Sequence, residues 1–454
     1  MSNNIAAIDK RSTPRIKPNA PVKISGSINA NLINISDGGI CFSVPTPVDI
    51  KKYDLVVEFP SAPIKISVQI RWSNKTGANG EFLYGASFIE PDSNILKIIR
   101  RYMISKHFKF VVRGIKDKGT RKSILKYAKN FRDYLFNLVD LTNAIIKKKG
   151  YQKNIQERLR LLNDGIVQKG ETLKETINNK LVTKKIKNEF RSLVSCWAFK
   201  SQIMKRGFDK PRGYPGDSDT LEVIYDKKTF SPNNELGYYF DIYFLDNPYA
   251  DAVRNRKDKL REILRRCLLS GDKELKILNL ACGSSREIWE LYTAKDININ
   301  QRKAEFTLLD WDDNALEFSR NRLKNISKNI KLNFLKEDVM QFVKSTEFFD
   351  KHGKQDLIYS IGLADYLPDR VLKKMIKNSF VGLNPGGSFI IAHKDKEIAF
   401  SHLPPEWFCD WEFFSRNEKD MKDLVESAEI GKFSYNVERE KSGQIFFITI
   451  TKQK

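Results

Sequence analysis

Cysteine is scarce in this sequence. The chain of 454 residues has five cysteines, and no two of them form a C-x-x-C pair. Such scattered thiols exclude a disulfide framework and a zinc cluster, so we expect a reducing compartment and no metal site. The cysteines are Cys41, Cys196, Cys267, Cys282 and Cys409.

Long apolar runs are also missing. No stretch approaches the ~18 uncharged apolar residues that a membrane span needs, and the N-terminus has no apolar signal region. We therefore expect a cytoplasmic protein without a membrane span. An apolar content of 41% with 11% aromatics is typical of a folded chain, and this length suits two or three domains.

Negative charge is rare in the middle of the chain. Between Lys97 and Arg212, about 31 lysines and arginines stand against about 9 acids, which accounts for nearly all of the net charge of +23. A solvated helical surface explains such a run. The alternatives are attraction to an anionic membrane surface, an acidic protein or nucleic acid.

The same segment has apolar residues at spacings of three and four, which predict helices that pack on one another. We interpret residues 99–198 as a basic helical connector, with a homodimerisation element as the alternative. The residues of the two stripes are Ile124, Ala128, Phe131, Leu135, Leu138, Thr142 and Ile145, and then Ile186, Phe190, Leu193 and Trp197.

The N-terminal region reads as a small all-β domain, because short alternating runs are separated by Gly, Pro, Asn or Asp turns. It contains two polar motifs. R-S-T-P-R sets Arg11 and Arg15 four residues apart, and N-I-S-D-G-G supplies Asn34, Ser36 and Gly39 between two strands. Arginine forks bind phosphate and stack on purines, and the second motif suits a guanine edge.

This order, R-x-x-x-R and then N-x-S-x-x-G about 19 residues later, closely resembles the PilZ domain, a β-barrel receptor for cyclic di-GMP. Arg71-Trp72 and Y-G-A-S-F from Tyr84 are similar to its later strands. The resemblance implies a barrel over residues 1–98 and an arginine arm that closes on the dinucleotide. The implied ligand residues are Arg11, Arg15, Asn34, Ser36 and Gly39.

A second pattern begins at K-I-L-N-L-A-C-G-S-S-R-E, where an apolar run is followed by small residues and then a helical pattern. Strand, small-residue turn and helix form the nucleoside-binding corner of an open α/β sheet. Glu305–Asp310 predicts a second strand that ends in an acid able to hold a ribose. Three more strands, which alternate with helices, predict a parallel, doubly wound sheet: Leu332–Val343, Asp356–Leu367 and Gly386–His393.

This set resembles the class I S-adenosylmethionine-dependent methyltransferases. The resemblance implies a Rossmann-like domain over residues 199–454. In one departure, Asn279 stands where the family usually has an acid. The implied cofactor-binding residues are Ala281, Cys282, Gly283, Ser284, Asp310, Trp311, Asp338 and Val339.

A turn-rich segment, Arg206–Asp226, lies ahead of this sheet and is either an ordinary loop or a lid over the site. K-P-R-G-Y-P-G-D, A-V-R-N-R, L-A-C-G-S-S-R-E and Y-S-I-G-L-A-D-Y-L together resemble the methyltransferases that make a 3-hydroxy fatty acid methyl ester quorum signal. That resemblance covers about Phe199–Lys454, with residues 199–270 as the lid or substrate segment.

A carboxylate acceptor is ionised at neutral pH and needs no general base, only a dry pocket that orients it. We predict Arg212, Tyr214 and Asp217 on the lid and Ser360 after the fourth strand as the catalytic residues. Asp365 follows the same strand, where the family places groups near the reacting atoms, and Tyr366 is expected to pack.

Other residues have two interpretations each. Arg254 and Arg256 are alternative orienting cations or, more simply, solvated surface residues. His393 is a base for a hydroxyl or amine acceptor, or a structural histidine with satisfied nitrogens. A late aromatic cluster is core or the wall of an acyl pocket: Trp407, Phe408, Trp411, Phe413 and Phe414.

The sequence thus predicts a multidomain methyltransferase with a PilZ-like barrel, a helical connector and a Rossmann-like sheet. It would O-methylate a small or fatty-acid-like carboxylate under the control of cyclic di-GMP. One alternative is a cyclic di-GMP effector whose methyltransferase fold is a non-catalytic interaction module, and protein methylation is another. A nucleic-acid methyltransferase is disfavoured because no Pro-Pro-aromatic motif follows the fourth strand.

Overall fold

The computed structural model describes residues 20–36, 38–59, 63–75, 81–147, 150–271, 273–294, 296–398 and 403–454. The chain divides into two compact units. The first unit comprises Met1–Lys205, Phe230–Tyr243 and Trp407–Cys409, and the second comprises Arg206–Thr229, Phe244–Glu406 and Asp410–Lys454.

Six antiparallel strands of the first unit close into a barrel in the order β1-β2-β3-β6-β5-β4. Alternation along β1 buries Val22 and Ile24 and exposes the residues between them, as expected for strands with one face on a core. The predicted small β-barrel is therefore confirmed. Its strands are β1 (Pro21–Ile24), β2 (Ile28–Ser36), β3 (Gly39–Val44), β4 (Lys52–Glu58), β5 (Pro63–Lys75) and β6 (Phe82–Phe88).

Helices follow the barrel. The first of them, α1, packs Ile99, Tyr102 and Met103 against the barrel core. The predicted stripe of α2 is buried from Ile124 to Ile145, apart from the half-buried Thr142. The helices of this region are α1 (Ser93–Val112), α2 (Lys118–Ile146), α3 (Lys153–Ile177), α4 (Lys180–Ala198), α5 (Gln202–Asp209), α6 (Ser218–Asp226), α7 (Leu236–Leu245) and α8 (Pro248–Leu269).

The core of the first unit includes part of the late aromatic cluster. Trp407 is fully buried between the rings of Tyr127 and Phe190, with centroids 6.1 and 5.4 Å away. Its indole N–H donates to Glu171 Oε1 at 2.7 Å. Phe408 packs on Phe190 as well, so these two members of the cluster are core.

The second unit is built on a seven-stranded sheet of order β12-β13-β11-β10-β7-β8-β9. The five strands β7 to β11 run parallel, which confirms the predicted Rossmann-like sheet. A hairpin of β12 and β13 adds an antiparallel edge. The strands are β7 (Leu275–Leu280), β8 (Ala304–Asp310), β9 (Ile330–Lys336), β10 (Gln355–Ile361), β11 (Leu383–Lys394), β12 (Phe433–Arg439) and β13 (Ile445–Lys452).

Chain order reverses at β7, which lies between β8 and β10. In open α/β sheets, ligands bind beyond the carboxyl ends of the strands at such a reversal. No helix in the described ranges is long and apolar enough to cross a membrane. The remaining helices are α9 (Arg286–Thr293), α10 (Ile297–Asn300), α11 (Asp313–Leu323), α12 (Val339–Lys344), α13 (Glu347–His352), α14 (Asp369–Val381), α15 (Leu403–Cys409) and α16 (Glu418–Glu426), with a 3₁₀ turn at Ala364–Tyr366.

Candidate functional site

A tight turn joins β7 to α9. Ala281, Gly283 and Ser285 all have positive φ angles, of 58°, 54° and 48°. This conformation turns the Gly283 N–H toward the next strand, where it donates to Asp310 Oδ2 at 2.8 Å. The Gly283 carbonyl accepts from the Ser319 hydroxyl at 2.8 Å. The turn is therefore fixed on both sides of Gly283.

Asp310 ends β8 and is only 5% exposed. Its other oxygen, Oδ1, accepts from the Asp312 N–H at 3.0 Å. Burial raises the pKa of Asp310, and the two amide donors oppose this rise because they stabilise the ionised form. The carboxylate is thus oriented before any ligand arrives, and each oxygen keeps a lone pair for a further donor.

A cavity of about 440 Å³ begins at this turn. At one end it is lined by Ala281, Gly283, Asp310 and Trp311. Beside β9 it is lined by Asp338 and Val339, two of the residues predicted to contact the cofactor. The other end has an aromatic wall formed by Phe244, Tyr249, Tyr366, Trp411 and Phe413.

Two of the predicted cofactor residues do not line this cavity. The Cys282 side chain is buried beside the turn, and burial raises the pKa of its thiol. The Ser284 hydroxyl donates to Glu222 Oε1 at 2.6 Å, away from the cavity.

The predicted lid residues take different roles. Tyr214 lines the cavity, and burial raises the pKa of its phenol well above the usual value. Arg212 instead forms ion pairs with Asp312 and with Asp219, the latter at 2.9 Å. Asp217 caps α6 by accepting from the Thr220 N–H at 2.8 Å. Both charged residues therefore fix the position of the segment that carries Tyr214.

The two residues predicted to follow the fourth parallel strand also separate, and Ser360 lies within β10 rather than after it. Ser360 is fully buried, and its hydroxyl donates to the Leu280 carbonyl at 3.0 Å, so it links β10 to β7 and does not line the cavity. Asp365 does line the cavity, and its Oδ1 accepts from the Lys394 N–H at 3.1 Å. Tyr366, expected to pack, lines it too, and its hydroxyl accepts from Trp411 Nε1 at 2.6 Å.

His393 is fully buried, and both of its ring nitrogens have partners. Nδ1 lies 2.7 Å from the Lys394 carbonyl, and Arg416 Nη1 donates to Nε2 at 3.1 Å. Burial lowers the pKa of His393, and Asp365 opposes this shift less strongly. This geometry matches the structural interpretation, because a neutral imidazole with both nitrogens engaged has no free site for an acceptor's proton.

We expect His393 to make the protein less stable in mild acid. Because its folded-state pKa is lowered, its contribution to stability is present above pH ~6.5 and is lost as the pH falls through the folded-state pKa. Asp365, Lys394 and Arg416 are the charged groups that face it. The free energy of unfolding should therefore fall less between pH 7.5 and 5.5 in His393→Gln than in the natural chain or in His352→Gln. Equal pH dependence in all three proteins would contradict the assignment.

Arg256 is a cavity residue. It is 5% exposed and lines the cavity beside the aromatic wall, so the interpretation as a solvated surface residue is wrong. A signal was present in the sequence, because Arg256 continues the buried stripe of α8 through Tyr249, Val253 and Leu260 at helical spacing. Arg254 instead donates to the backbone carbonyls of Ile224 and Leu245.

The carboxylate of Glu287, a residue of α9, lies within hydrogen-bond distance of the Asn279 side chain at the end of β7. The Asn279 side-chain amide donates to Glu287 Oε1 at 3.2 Å, and the Tyr359 hydroxyl donates to the same oxygen at 3.0 Å. Burial raises the pKa of Glu287 to about 7. Sequence reasoning missed this residue, because an acid on α9 meets the end of β7 only after the turn has folded.

The barrel has its own candidate site at the β2–β3 turn. Ser36 and Gly39 form the last pair of the hairpin, and the buried Ser36 hydroxyl donates to the Gly39 carbonyl at 3.3 Å. Gly39 is required by packing, since a Cβ there would lie 2.3 Å from the Ala86 carbonyl oxygen. Asn34 is half-buried on the same strand as Ser36.

The two arginines predicted to bind the dinucleotide, Arg11 and Arg15, lie outside the described residues. The later strands of the barrel pair as the resemblance implied. Trp72 lies against Gly85, where a Cβ would be 2.1 Å from the indole. The neighbouring Arg71 donates to the Ser87 hydroxyl at 2.8 Å.

Comparison with known families assigns both parts of the chain. Residues 9–105 match the family described as PilZ domain, and residues 271–441 match the family described as Methyltransferase domain. The chain carries a PilZ domain and a methyltransferase domain. This confirms the two domain types recognised from the sequence and the assignment as a methyltransferase, whereas the resemblance to the quorum-signal synthases stays a prediction. The ligands expected for these two domain types are cyclic di-GMP and S-adenosylmethionine.

Similar solved structures include methyltransferases. A magnesium protoporphyrin IX methyltransferase from Synechocystis PCC 6803 with bound SAM is 11% identical, with 56% of this chain and 97% of that chain covered and a TM-score of 0.36. The N-methyltransferase NodS from Bradyrhizobium japonicum WM9 is 14% identical, with 44% and 97% covered and a TM-score of 0.30. Comparison with curated proteins gave no match. The assignment therefore depends on the two family matches.

Proposed function

We propose that the methyltransferase domain transfers a methyl group from S-adenosylmethionine to the carboxylate of an acid with an apolar chain. The observation that carries this proposal is one cavity with two chemically different ends. The end at Gly283 and Asp310 offers an oriented carboxylate for ribose hydroxyls, and the end at Tyr249 and Trp411 offers an aromatic surface. A sulfonium cofactor and an apolar acceptor would meet between them.

A carboxylate suits this cavity better than an alcohol or an amine. Methyl transfer from a sulfonium is an in-line displacement, and an ionised acid can attack without losing a proton first. His393, the base candidate from the sequence, has both nitrogens engaged and does not line the cavity. The chain's residues would then contribute orientation and exclusion of water rather than proton transfer.

Titration of the full-length protein with S-adenosylmethionine, followed by mass spectrometry, tests this proposal. We expect saturable binding of the cofactor. We also expect extracts of cells that contain the protein to gain a small acid heavier by one methyl group. No binding at millimolar cofactor would instead favour the non-catalytic interaction module. A methyl group found only on protein side chains would favour protein methylation.

We infer further that cyclic di-GMP binds the PilZ domain and changes the rate of methyl transfer. The order of the domains supports this inference, together with Asn34, Ser36 and Gly39 on the β2–β3 hairpin. The dinucleotide can change the rate only if it binds two arrangements of the protein with different affinity.

Turnover should therefore be measured with and without cyclic di-GMP, in the natural chain and in Arg15→Ala. We expect a rate change in the natural chain that Arg15→Ala abolishes, because the variant lacks an arginine predicted to bind the dinucleotide. A matched control, Arg113→Ala, replaces an exposed arginine after α1 and should keep the response. Identical rates in every condition would remove the coupling.

A further inference from the structure

One buried cation in the methyltransferase cavity has no carboxylate within ion-pair distance among the described residues. Arg256 is 5% exposed, and no hydrogen-bond partner for its Nε atom exists among the described residues. A guanidinium keeps its charge at any physiological pH, so it cannot become neutral to reduce the cost of burial. A buried, incompletely paired charge is expensive, which makes Arg256 unusual beside a cavity wall that is mostly aromatic.

The residues around Arg256 restrict which nitrogen atoms of its guanidinium group can bind a ligand. Gly362, with φ of 89°, lies directly against the guanidinium, and a Cβ there would be 2.9 Å from Nη1 and 3.1 Å from Nη2. Tyr225 and Tyr249 are further neighbours in its electrostatic environment. The terminal nitrogens thus lie against the Gly362 backbone, and the guanidinium is hydrogen-bonded to the Tyr225 phenol, while the Nε–H has no acceptor.

An acidic group in that environment, Asp365, is already engaged. Asp365 contributes to the field at Arg256, but its Oδ1 accepts the Lys394 N–H at 3.1 Å and lies 3.4 Å from His393 Nδ1. Asp365 therefore offsets part of the positive charge of Arg256 at long range. It does not accept a hydrogen bond from the Arg256 Nε–H. Arg256 lines the cavity, so an anion that enters it would meet a guanidinium that has no carboxylate partner.

We propose that Arg256 binds the carboxylate of the methyl acceptor through a single N–H and so positions it for transfer. This proposal rests on the proposed function and adds the residue that recognises the acid. The ligand class is a monocarboxylic acid whose apolar chain lies on the aromatic wall of Tyr249, Tyr366 and Trp411. Arg256 is the residue that distinguishes this acid from an alcohol or an ester that has the same apolar hydrocarbon chain.

A single contact leaves one carboxylate oxygen without a charged donor, so that oxygen stays more nucleophilic than either oxygen in a two-pronged pair. One carboxylate oxygen accepts from Arg256, and a lone pair of the other forms the new bond to the methyl carbon. The carbon–sulfur bond breaks, its electron pair stays on sulfur, and Arg256 keeps its proton. The products are a methyl ester and a neutral thioether. Because the ester has lost the charge, its attraction to Arg256 falls and its release is favoured.

The test is calorimetric titration of the full chain, saturated with S-adenosylhomocysteine, with straight-chain acids from butyrate to palmitate and with their methyl esters. We expect the best acid to bind ~10-fold or more tightly than its ester, as for a hydrogen bond to a charged group. Arg256→Met should bind both equally, and Arg256→Lys should keep part of the preference. Arg265→Met is the control on the same helix, since that side chain is 48% exposed.

The result separates this inference from the proposed function. If the natural chain fails to bind the cofactor product, the proposed function fails. If it binds that product normally but binds no acid, the proposed acceptor fails together with the role of Arg256. If it binds the acid and Arg256→Met keeps the same preference for the acid, only the role of Arg256 fails. Should Arg256→Met not fold, Gly362→Ala moves the guanidinium without removing it and should also reduce the preference for the acid. An unchanged preference in Gly362→Ala would then overturn the proposal.

Discussion

Replacing Asp310 with asparagine is expected to weaken S-adenosylmethionine binding by about 10- to 100-fold, the loss of one hydrogen bond to a charged group. Both Asp310 oxygens accept backbone N–H groups, from Gly283 at 2.8 Å and from Asp312 at 3.0 Å. An asparagine must turn its NH₂ toward one of these donors. The substitution therefore removes the charge and also disturbs the turn beneath the cofactor.

Asp313→Asn is the matched control. Asp313 begins α11 three residues later, but its side chain is 65% exposed and pairs with Lys336. Its replacement should leave cofactor affinity within about a factor of two, since exposed ion pairs contribute ~0–1 kcal/mol. Affinity is measured by calorimetry and folding by thermal melting. Cofactor binding by Asp310→Asn as tight as that of the natural chain would show that this carboxylate does not hold the ribose.

Trp407→Ala should have the largest effect on stability, a loss of about 3–5 kcal/mol for the first unit. The ring is fully buried between Tyr127 and Phe190, and its N–H is the donor to the buried Glu171 carboxylate at 2.7 Å. The variant therefore loses aromatic packing and leaves a charge without this partner. Urea unfolding followed by ellipticity measures the loss.

A double substitution tests whether the effect is local. A Cβ on Gly170 would lie 2.4 Å from the Trp407 ring, so Gly170→Ala alone should destabilise the protein. In the Trp407→Ala background the same change should cost much less, because the space is empty. Phe414→Ala, at a side chain that is 43% exposed, should cost less than ~1 kcal/mol. Equal losses in Trp407→Ala and Phe414→Ala would contradict the packing argument.

Several features of the fold were accessible from sequence because they depend on local periodicity. The alternating runs predicted barrel strands, and the three-and-four spacing around Phe131 predicted a buried helix face. The strand that ends in Asp310 was predicted by its apolar residues and terminal acid. The antiparallel hairpin of β12 and β13 was not anticipated, because its pairing with β11 joins residues far apart in the chain.

The candidate site was harder to predict from the sequence, because a motif identifies a segment of the chain but not the direction of each side chain. Arg212 and Asp217 lie in the predicted lid, yet their charges pair with other charges and fix the loop. Ser360 lies within β10, and its hydroxyl donates to a carbonyl of the neighbouring strand β7. For Arg256 the sequence allows either an orienting cation or a surface residue and favours the surface, because charged side chains are seldom buried.

The order of residues alone determined that this chain has a β-barrel ahead of an α/β sheet and which turn carries the nucleoside-binding corner. Those features follow from contacts among neighbours in sequence, which repeat with the period of a strand or a helix. Only the tertiary structure decided that Arg256 lies in a cavity wall and that Glu287 reaches Asn279. Whether a side chain is buried, and with which group it pairs, depends on the distant segments that pack around it. The local periodicity of the sequence does not determine which segments these are.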